Sequence, residues 1–182
     1  MSFGAFSGYG RFGGVEAGTR SGMKDRELLR AAIAEALSAV RRGDEQDALL
    51  MFDRLAGSSW NTLQDTVLEL ADANYEMLLT MTGSRRDDDL VITLCDEDGS
   101  DRTVDDLEPA QRTATRVLLA LAAGRPEDAR TQLEIAGAAD EPAATGQVLA
   151  HTVGWTLEMV ETCEDAGRPV PRWLYPVLIA DR

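Results

Sequence analysis

Arg41-Arg42-Gly43-Asp44-Glu45-Gln46-Asp47-Ala48-Leu49-Leu50-Met51-Phe52 has the grammar of two helices meeting at a tight turn. Gly43 lets the first helix end in a left-handed residue, and Asp44 is placed to cap the second. Ala48, Phe52 and Leu55 then return to one face at helical spacing. The same grammar recurs 81 residues later as Gly124-Arg125-Pro126-Glu127-Asp128-Ala129, followed by Leu133 and Ala136. There Pro126 falls in the first helical turn, where its missing N–H costs nothing.

Outward from the first turn, Leu28, Leu29, Ile33, Ala36, Leu37 and Val40 recur with a helical period and predict a helix over 25–42. A second helix runs over 45–56 and stops at Gly57-Ser58-Ser59. Asn61 with Gln64 reads as the capping box of a third, carried by Leu63, Val67, Leu70, Met77, Leu78 and Met81 to Gly83. The period then changes: Leu90-Val91-Ile92-Thr93-Leu94-Cys95 is rich in β-branched residues, Asp98-Gly99 is a turn dipeptide, and Arg102-Thr103-Val104 supplies a second short strand. Such a hairpin is marginal alone and is expected to lie against the helices.

Asp105, Asp106 or Glu108 can cap a fourth helix that opens on Pro109 and presents Ala114, Val117, Leu118 and Leu121. A fifth follows the Gly124 turn. A sixth, over 144–164, carries Val148, Leu149, Val153, Trp155, Leu157, Met159 and Val160 around much of its circumference, which predicts burial on more than one side. After Gly167 and Pro169, the stretch Trp173-Leu174-Tyr175-Pro176-Val177-Leu178-Ile179 is too apolar to be left in water and is expected to pack back on the body or across a subunit boundary.

The expected fold is mainly α: two pseudo-repeated three-helix units packed as one helical bundle, with a short acidic β-hairpin between them. The divisions are a leader at 1–22, a first unit at 23–83, the hairpin linker at 84–108, a second unit at 109–167 and an apolar C-terminal docking segment at 168–182. Gly43 with Gly124, Asp47 with Asp128 and Ala48 with Ala129 share the offset of 81, and Glu76-Met77 with Glu158-Met159 gives 82. One inserted residue reconciles the halves.

The leader holds seven of the sixteen glycines and four of the aromatics, without helical or alternating periodicity, and is expected to be unstructured. Its end, Gly18-Thr19-Arg20-Ser21-Gly22, resembles the scar of a cloning site, and Met23-Lys24-Asp25 looks like a natural start. The leader is therefore expected to be dispensable. The alternative is a docking arm whose aromatics Phe3, Phe6, Tyr9 and Phe12 enter pockets on a partner.

With 182 residues the chain can bury roughly 70% of its unfolded surface and needs no staples. Two cysteines, Cys95 and Cys163, make no disulfide framework, no run approaches the ~20 apolar residues of a membrane span, and no secretion signal is visible. A cytoplasmic protein without a membrane partner is expected. A net charge of −14 argues against direct binding of nucleic acid. Lys24 is the sole lysine against 17 arginines, a bias common where codons are GC-rich and pointing to a bacterial source.

The two turns resemble the centre of a tetratricopeptide repeat, in which a small residue ends one helix and alanine, an aromatic or large apolar residue, and alanine follow at fixed intervals. Gly43, Ala48 and Phe52 match, with Leu55 in the last place; Gly124, Ala129 and Ala136 match, with Leu133 for the aromatic and Pro142 near the family's closing proline. The family's period of about 34 residues is absent. The resemblance covers about a dozen residues per half and implies binding of proteins or peptides by helix hairpins.

Reactive groups are sparse. His151, the only histidine, lies between apolar neighbours and reads as a structural residue; Gln147 and Trp155, one turn away on either side, make no base or ligand set. Cys163 sits near a helix C-terminus, where the dipole opposes a thiolate. Asp96, Asp98, Ser100 and Asp101 fail the calcium-loop pattern, with Asp101 in place of the required glycine and Leu107 in place of the glutamate. Glu76, Glu158 and Glu161 lack the two histidines of a di-iron bundle. No catalytic residue, metal site or cofactor is expected.

Between Arg85 and Glu108 ten acidic and three basic residues give a net −7, read as a solvated hairpin with charge-guarded edges. The expected function is a non-enzymatic interaction or adaptor module binding a protein partner or itself. Trp155, Trp173 and Tyr175, with the leader aromatics and Asp87, Asp88 and Asp89, are its candidate contact residues. Alternatives are an acidic, DNA-mimicking inhibitor of a basic nucleic-acid-binding protein, working through Asp87–Asp89, and a small-molecule binder or enzyme with a pocket near His151 and Trp155.

Overall fold

The computed structural model describes residues 15–86, 92–95, 98, 100–138 and 143–180, with side chains from residue 22 in the first helix and from 145 in the sixth. The chain is mainly helical. In order come α1 (Val15–Arg41), α2 (Glu45–Ser58), α3 (Trp60–Thr82), β1 (Leu94–Cys95), β2 (Asp101–Arg102), α4 (Pro109–Ala122), α5 (Pro126–Ala138), α6 (Ala143–Asp165) and α7 (Tyr175–Leu178), with single 3₁₀ turns at Val104–Asp106 and Arg172–Leu174.

Glycine sets the helix ends. Gly43 has φ +76° and Gly124 φ +68°, and after each the chain closes a six-residue hydrogen-bonded loop: Asp44 N–H donates to the Ala39 carbonyl at 2.9 Å and Arg125 N–H to that of Ala120 at 2.8 Å. This is the Schellman arrangement, which satisfies carbonyls that the last turn leaves open. Gly83 and Gly167 end α3 and α6 in the same way, through Ser84 N–H to Leu79 and Arg168 N–H to Cys163.

The caps at the other ends depart from expectation. Ser59, not Asn61, caps α3 by accepting from Thr62 N–H at 3.0 Å. Asp44 makes no side-chain cap, because its carboxylate is taken by Arg42 at 2.9 Å. Asp106 caps the 3₁₀ turn by accepting from both N–H and Oγ1 of Thr103, while α4 opens on Pro109 with Glu108 as an unbonded cap.

One core runs through the molecule. α3 and α6, each 23 residues long, share its most extensive helix contact. Leu63, Val67, Leu70 and Met77 of α3 meet Val148, Leu149, Val160 and Cys163 of α6, and Ile33 and Leu37 of α1, Val117 of α4 and Leu133 of α5 close the sides. Each large aliphatic side chain removed from water contributes about 1.5–3 kcal/mol. α6 packs on more than one side, against α3, α4, α5, α1 and α7, with Val148, Leu149 and Val160 buried and Val153, Trp155, Leu157 and Met159 packed against the core. Gly146, Gln147, Ala150, His151 and Glu158 face solvent.

Two further differences from the sequence reading are physical. α1 begins at Val15, so residues 15–22, expected in an unstructured leader, are helical. The sheet is a two-residue antiparallel pairing, Leu94 with Arg102 and Cys95 with Asp101, one residue earlier on the second strand than expected. The apolar C-terminal segment packs back on the body of its own chain: Val170, Leu174 and Val177 are buried and α7 packs on α1. Arg41 clamps it, donating to the Val177 carbonyl at 3.3 Å and to Glu164 at 2.6 Å.

Candidate functional site

Among the described residues, three of the concave surfaces are open to a partner. The largest, about 1100 Å³, lies between α1 and the C-terminal segment. Ala31, Ala34 and Ser38 make a low floor on α1, and Pro171, Trp173, Pro176 and Ile179 make the wall. Trp173 is held by the Arg30 guanidinium, 5.6 Å from its ring centroid. Ile179 at the rim is 65% exposed. Glu27, Glu35 and Arg42 add charge of both signs along the α1 edge.

The second groove, about 440 Å³, separates α2 from α6. Val40, Ala48, Leu49, Phe52 and Ala56 face Gly146, Leu149, Ala150 and Val153, and the polar residues at its edge are the acids Glu45 and Asp53. Leu49 is 66% exposed. The third, about 310 Å³, is a depression on the outer face of α6 bounded by Gln147, His151, Trp155 and Glu158. His151 is exposed there and not a core residue. Its apolar near neighbours Leu149 and Val153 point elsewhere, toward α2 and the core, because successive residues turn by about 100° around a helix.

A fourth, polar cleft of about 830 Å³ is tied by charge. Asp65, Glu69 and Asp72 recur along one side of α3 and each meets arginine: Arg130 of α5 on Asp65 at 2.9 Å, Arg26 and Arg30 of α1 on Glu69, and Arg86 on Asp72. The hydrogen bond to Asp72 raises the pKa of Arg86 above its ordinary value, and its guanidinium also lies 5.3 Å from the Tyr75 ring centroid. With every carboxylate of this row engaged, the cleft works as a strap joining α1, α3 and α5. Among the described residues no group of three His, Cys, Asp or Glu is placed to hold a metal ion.

Of the residues singled out from sequence, Trp173 lines the α1 groove, Tyr175 is 48% exposed at the start of α7, and Trp155 is half-buried beside His151. Phe3, Phe6, Tyr9, Phe12, Asp87, Asp88 and Asp89 lie outside the described residues. Two described acids nearby are engaged: Asp105 pairs with Arg116 at 2.8 Å, and hydrogen bonds from Thr103 hold the Asp106 carboxyl below the usual aspartate range. Cys163 is buried, which pushes its thiol pKa up, and Cys95 is exposed. The residues missed were Leu49 and Leu50. Leu49-Leu50-Met51-Phe52 is four apolar residues in a row, more than one helix face can hide, and that excess was the available signal.

Among the described residues no helix is long and apolar enough to cross a membrane. Comparison with known protein families, with curated proteins and with solved structures found no match.

Proposed function

We propose that the chain is a non-enzymatic protein-interaction module built from two related three-helix units, which holds a protein partner or a second copy of itself in its surface grooves. The observation that carries this reading is the groove on α1. A floor of small side chains is walled by an anchored tryptophan, two prolines and an exposed isoleucine, which is the make-up of a surface that receives another apolar element. Aromatic anchors with a rim of mixed charge are typical of such surfaces.

The duplicated plan is supported by its recurrent details. Gly43 and Gly124 close α1 and α4, Gly83 and Gly167 close α3 and α6, and all four are left-handed. Ala48 and Ala129 are buried at the offset of 81. Along α3 and α6 the pairs Leu63 and Thr145, Thr66 and Val148, Val67 and Leu149, Leu70 and Thr152, and Asn74 and Thr156 are buried at the offset of 82. The hairpins' likeness to tetratricopeptide repeats agrees with a binding role.

The test is affinity capture and light scattering with the unaltered chain and with Ala31→Arg. Ala31 is exposed on the groove floor, so arginine fits the helix while filling the groove. The expected result is a retained protein, or a mass above the monomer, that is lost in the variant. Equal retention by both chains refutes the assignment to this groove.

A further inference from the structure

The open groove between α2 and α6 has a counterpart that is already filled. Against α5, the Trp60 side chain at the start of α3 lies on Gly137 so closely that a Cβ built there would collide with three of its ring atoms. The offset of 81 that relates the two turns carries Gly137 onto Ala56, which lines the open groove. The offset of 82 that relates α3 to α6 carries Trp60 onto Pro142, and the next residue is Ala143, so no tryptophan is available at the equivalent place. One half covers its groove with an aromatic ring and the other lacks the ring.

The chain has six aromatics among the described residues. Phe52 is part of the groove wall, Trp60 covers Gly137, Tyr75 is buried, Trp155 and Trp173 line other surfaces, and Tyr175 starts α7. The remaining four, Phe3, Phe6, Tyr9 and Phe12, fall in 1–14, a stretch that contains Arg11 and no acidic residue in a chain of net charge −14. The groove's charged edge is Glu45 and Asp53. Aromatic content and charge therefore match between this stretch and the groove.

Tether length favours another molecule's groove. Phe12 stands three positions before Val15 and Tyr9 six, reaches of about 10 and 20 Å when the chain is fully extended. Along α1 the groove begins at Val40, about 38 Å from Val15 at 1.5 Å per residue. Where α2 returns beside α1, the far end at Ala56 is still about 21 Å along the axis and about 10 Å to the side.

We infer that the Tyr9-Gly10-Arg11-Phe12 stretch of one chain docks in the α2/α6 groove of a second copy, an aromatic ring covering Ala56 as Trp60 covers Gly137. This rests on the interaction-module reading and names its partner as the same chain. An arginine beside the ring meets Glu45 or Asp53. When two chains exchange arms the arm-to-groove contact is made twice about a twofold axis, so the pair is isologous and closes as a dimer.

The test uses the full chain with Cys95→Ser, which leaves only the buried Cys163. One preparation carries Gly13→Cys, which leaves Tyr9, Arg11 and Phe12 in place, and a second carries Ala56→Cys. They are mixed and treated with a short bismaleimide. The expected result is a crosslinked species containing one chain of each kind, reduced by about tenfold or more when Ala150→Arg is added to the groove-bearing chain. Ala150 is exposed on α6, so that change blocks the groove without entering the core.

No mixed species, a mixed species insensitive to Ala150→Arg, or crosslinking only within a single chain carrying both cysteines would overturn the inference. Light scattering separates the two proposals. Association lost through Ala31→Arg but accompanied by no mixed crosslink sinks the arm and leaves the interaction module standing, whereas a mixed crosslink with a bound partner unaffected by Ala31→Arg sinks the α1 groove and leaves the arm.

Discussion

Replacing Gly43 or Gly124 by alanine should destabilise the fold, while the same replacement at Gly154 should stabilise it. A Cβ at any of the three would meet nothing within 4 Å, so packing contributes nothing and the sign is set by the backbone. Gly43 and Gly124 have φ of +76° and +68°. A left-handed alanine costs about 1–2 kcal/mol, and the loss of unfolded-chain freedom gives back about 0.4–1 kcal/mol. The net loss is about 1 kcal/mol, or about 2–4 °C in Tm for a chain of this size. Gly154 lies inside α6, where alanine is favoured by about 0.5–1 kcal/mol. Urea and thermal unfolding followed by circular dichroism, at one protein concentration so that association does not shift the midpoint, measures all three. Gly43→Ala and Gly124→Ala should agree with each other and add in the double variant. A neutral or stabilising Gly43→Ala, or one that matches Gly154→Ala in sign, refutes the argument.

Asn74 is 2% exposed and neither its Oδ1 nor its Nδ2 has a partner among the described residues, so Asn74→Leu should be neutral or stabilising in urea unfolding; a loss above about 1 kcal/mol would show that the amide is satisfied. Glu69, held by two arginines with only 11% of its side chain exposed, should cost more on conversion to alanine than Asp65, whose exposed pair with Arg130 is worth about 0–1 kcal/mol and should fade in salt; equal losses at low and high salt for both would contradict this. Iodoacetamide should label Cys95 first. Burial raises the Cys163 thiol, so its labelling should require higher pH or denaturant, and mass spectrometry showing equal rates at pH 8 would refute the placement.

The turns were legible because glycine is nearly the sole residue that takes a left-handed helix end, and Gly43, Gly83, Gly124 and Gly167 each sit where the apolar period stops. The caps were less so. Ser59 and Asn61 carry equivalent acceptors two residues apart, and Asp44 had the right chemistry but a stronger competitor in Arg42. For His151 the reading used the helix neighbours Gln147 and Trp155 only to ask about ligands and took burial from the sequence neighbours; Gln147, Ala150, Gly154 and Glu158 share its side and none demands burial. The grooves were beyond sequence. Their floors are alanines that serve equally well as core, and which alanine ends up covered depends on how α7 crosses α1 and how far α2 stands from α6.

Because α3 and α6 come from opposite halves of the chain and form the centre together, neither half owns an interior. A chain divided between Ser84 and Ser100 should yield two pieces that are each aggregation-prone alone and that restore the native circular dichroism spectrum when mixed. Independent, soluble folding of either piece would show the centre to be less shared than the packing implies. Fragment complementation of this kind would make the chain a natural split reporter, its signal driven by one helix pair finding its match.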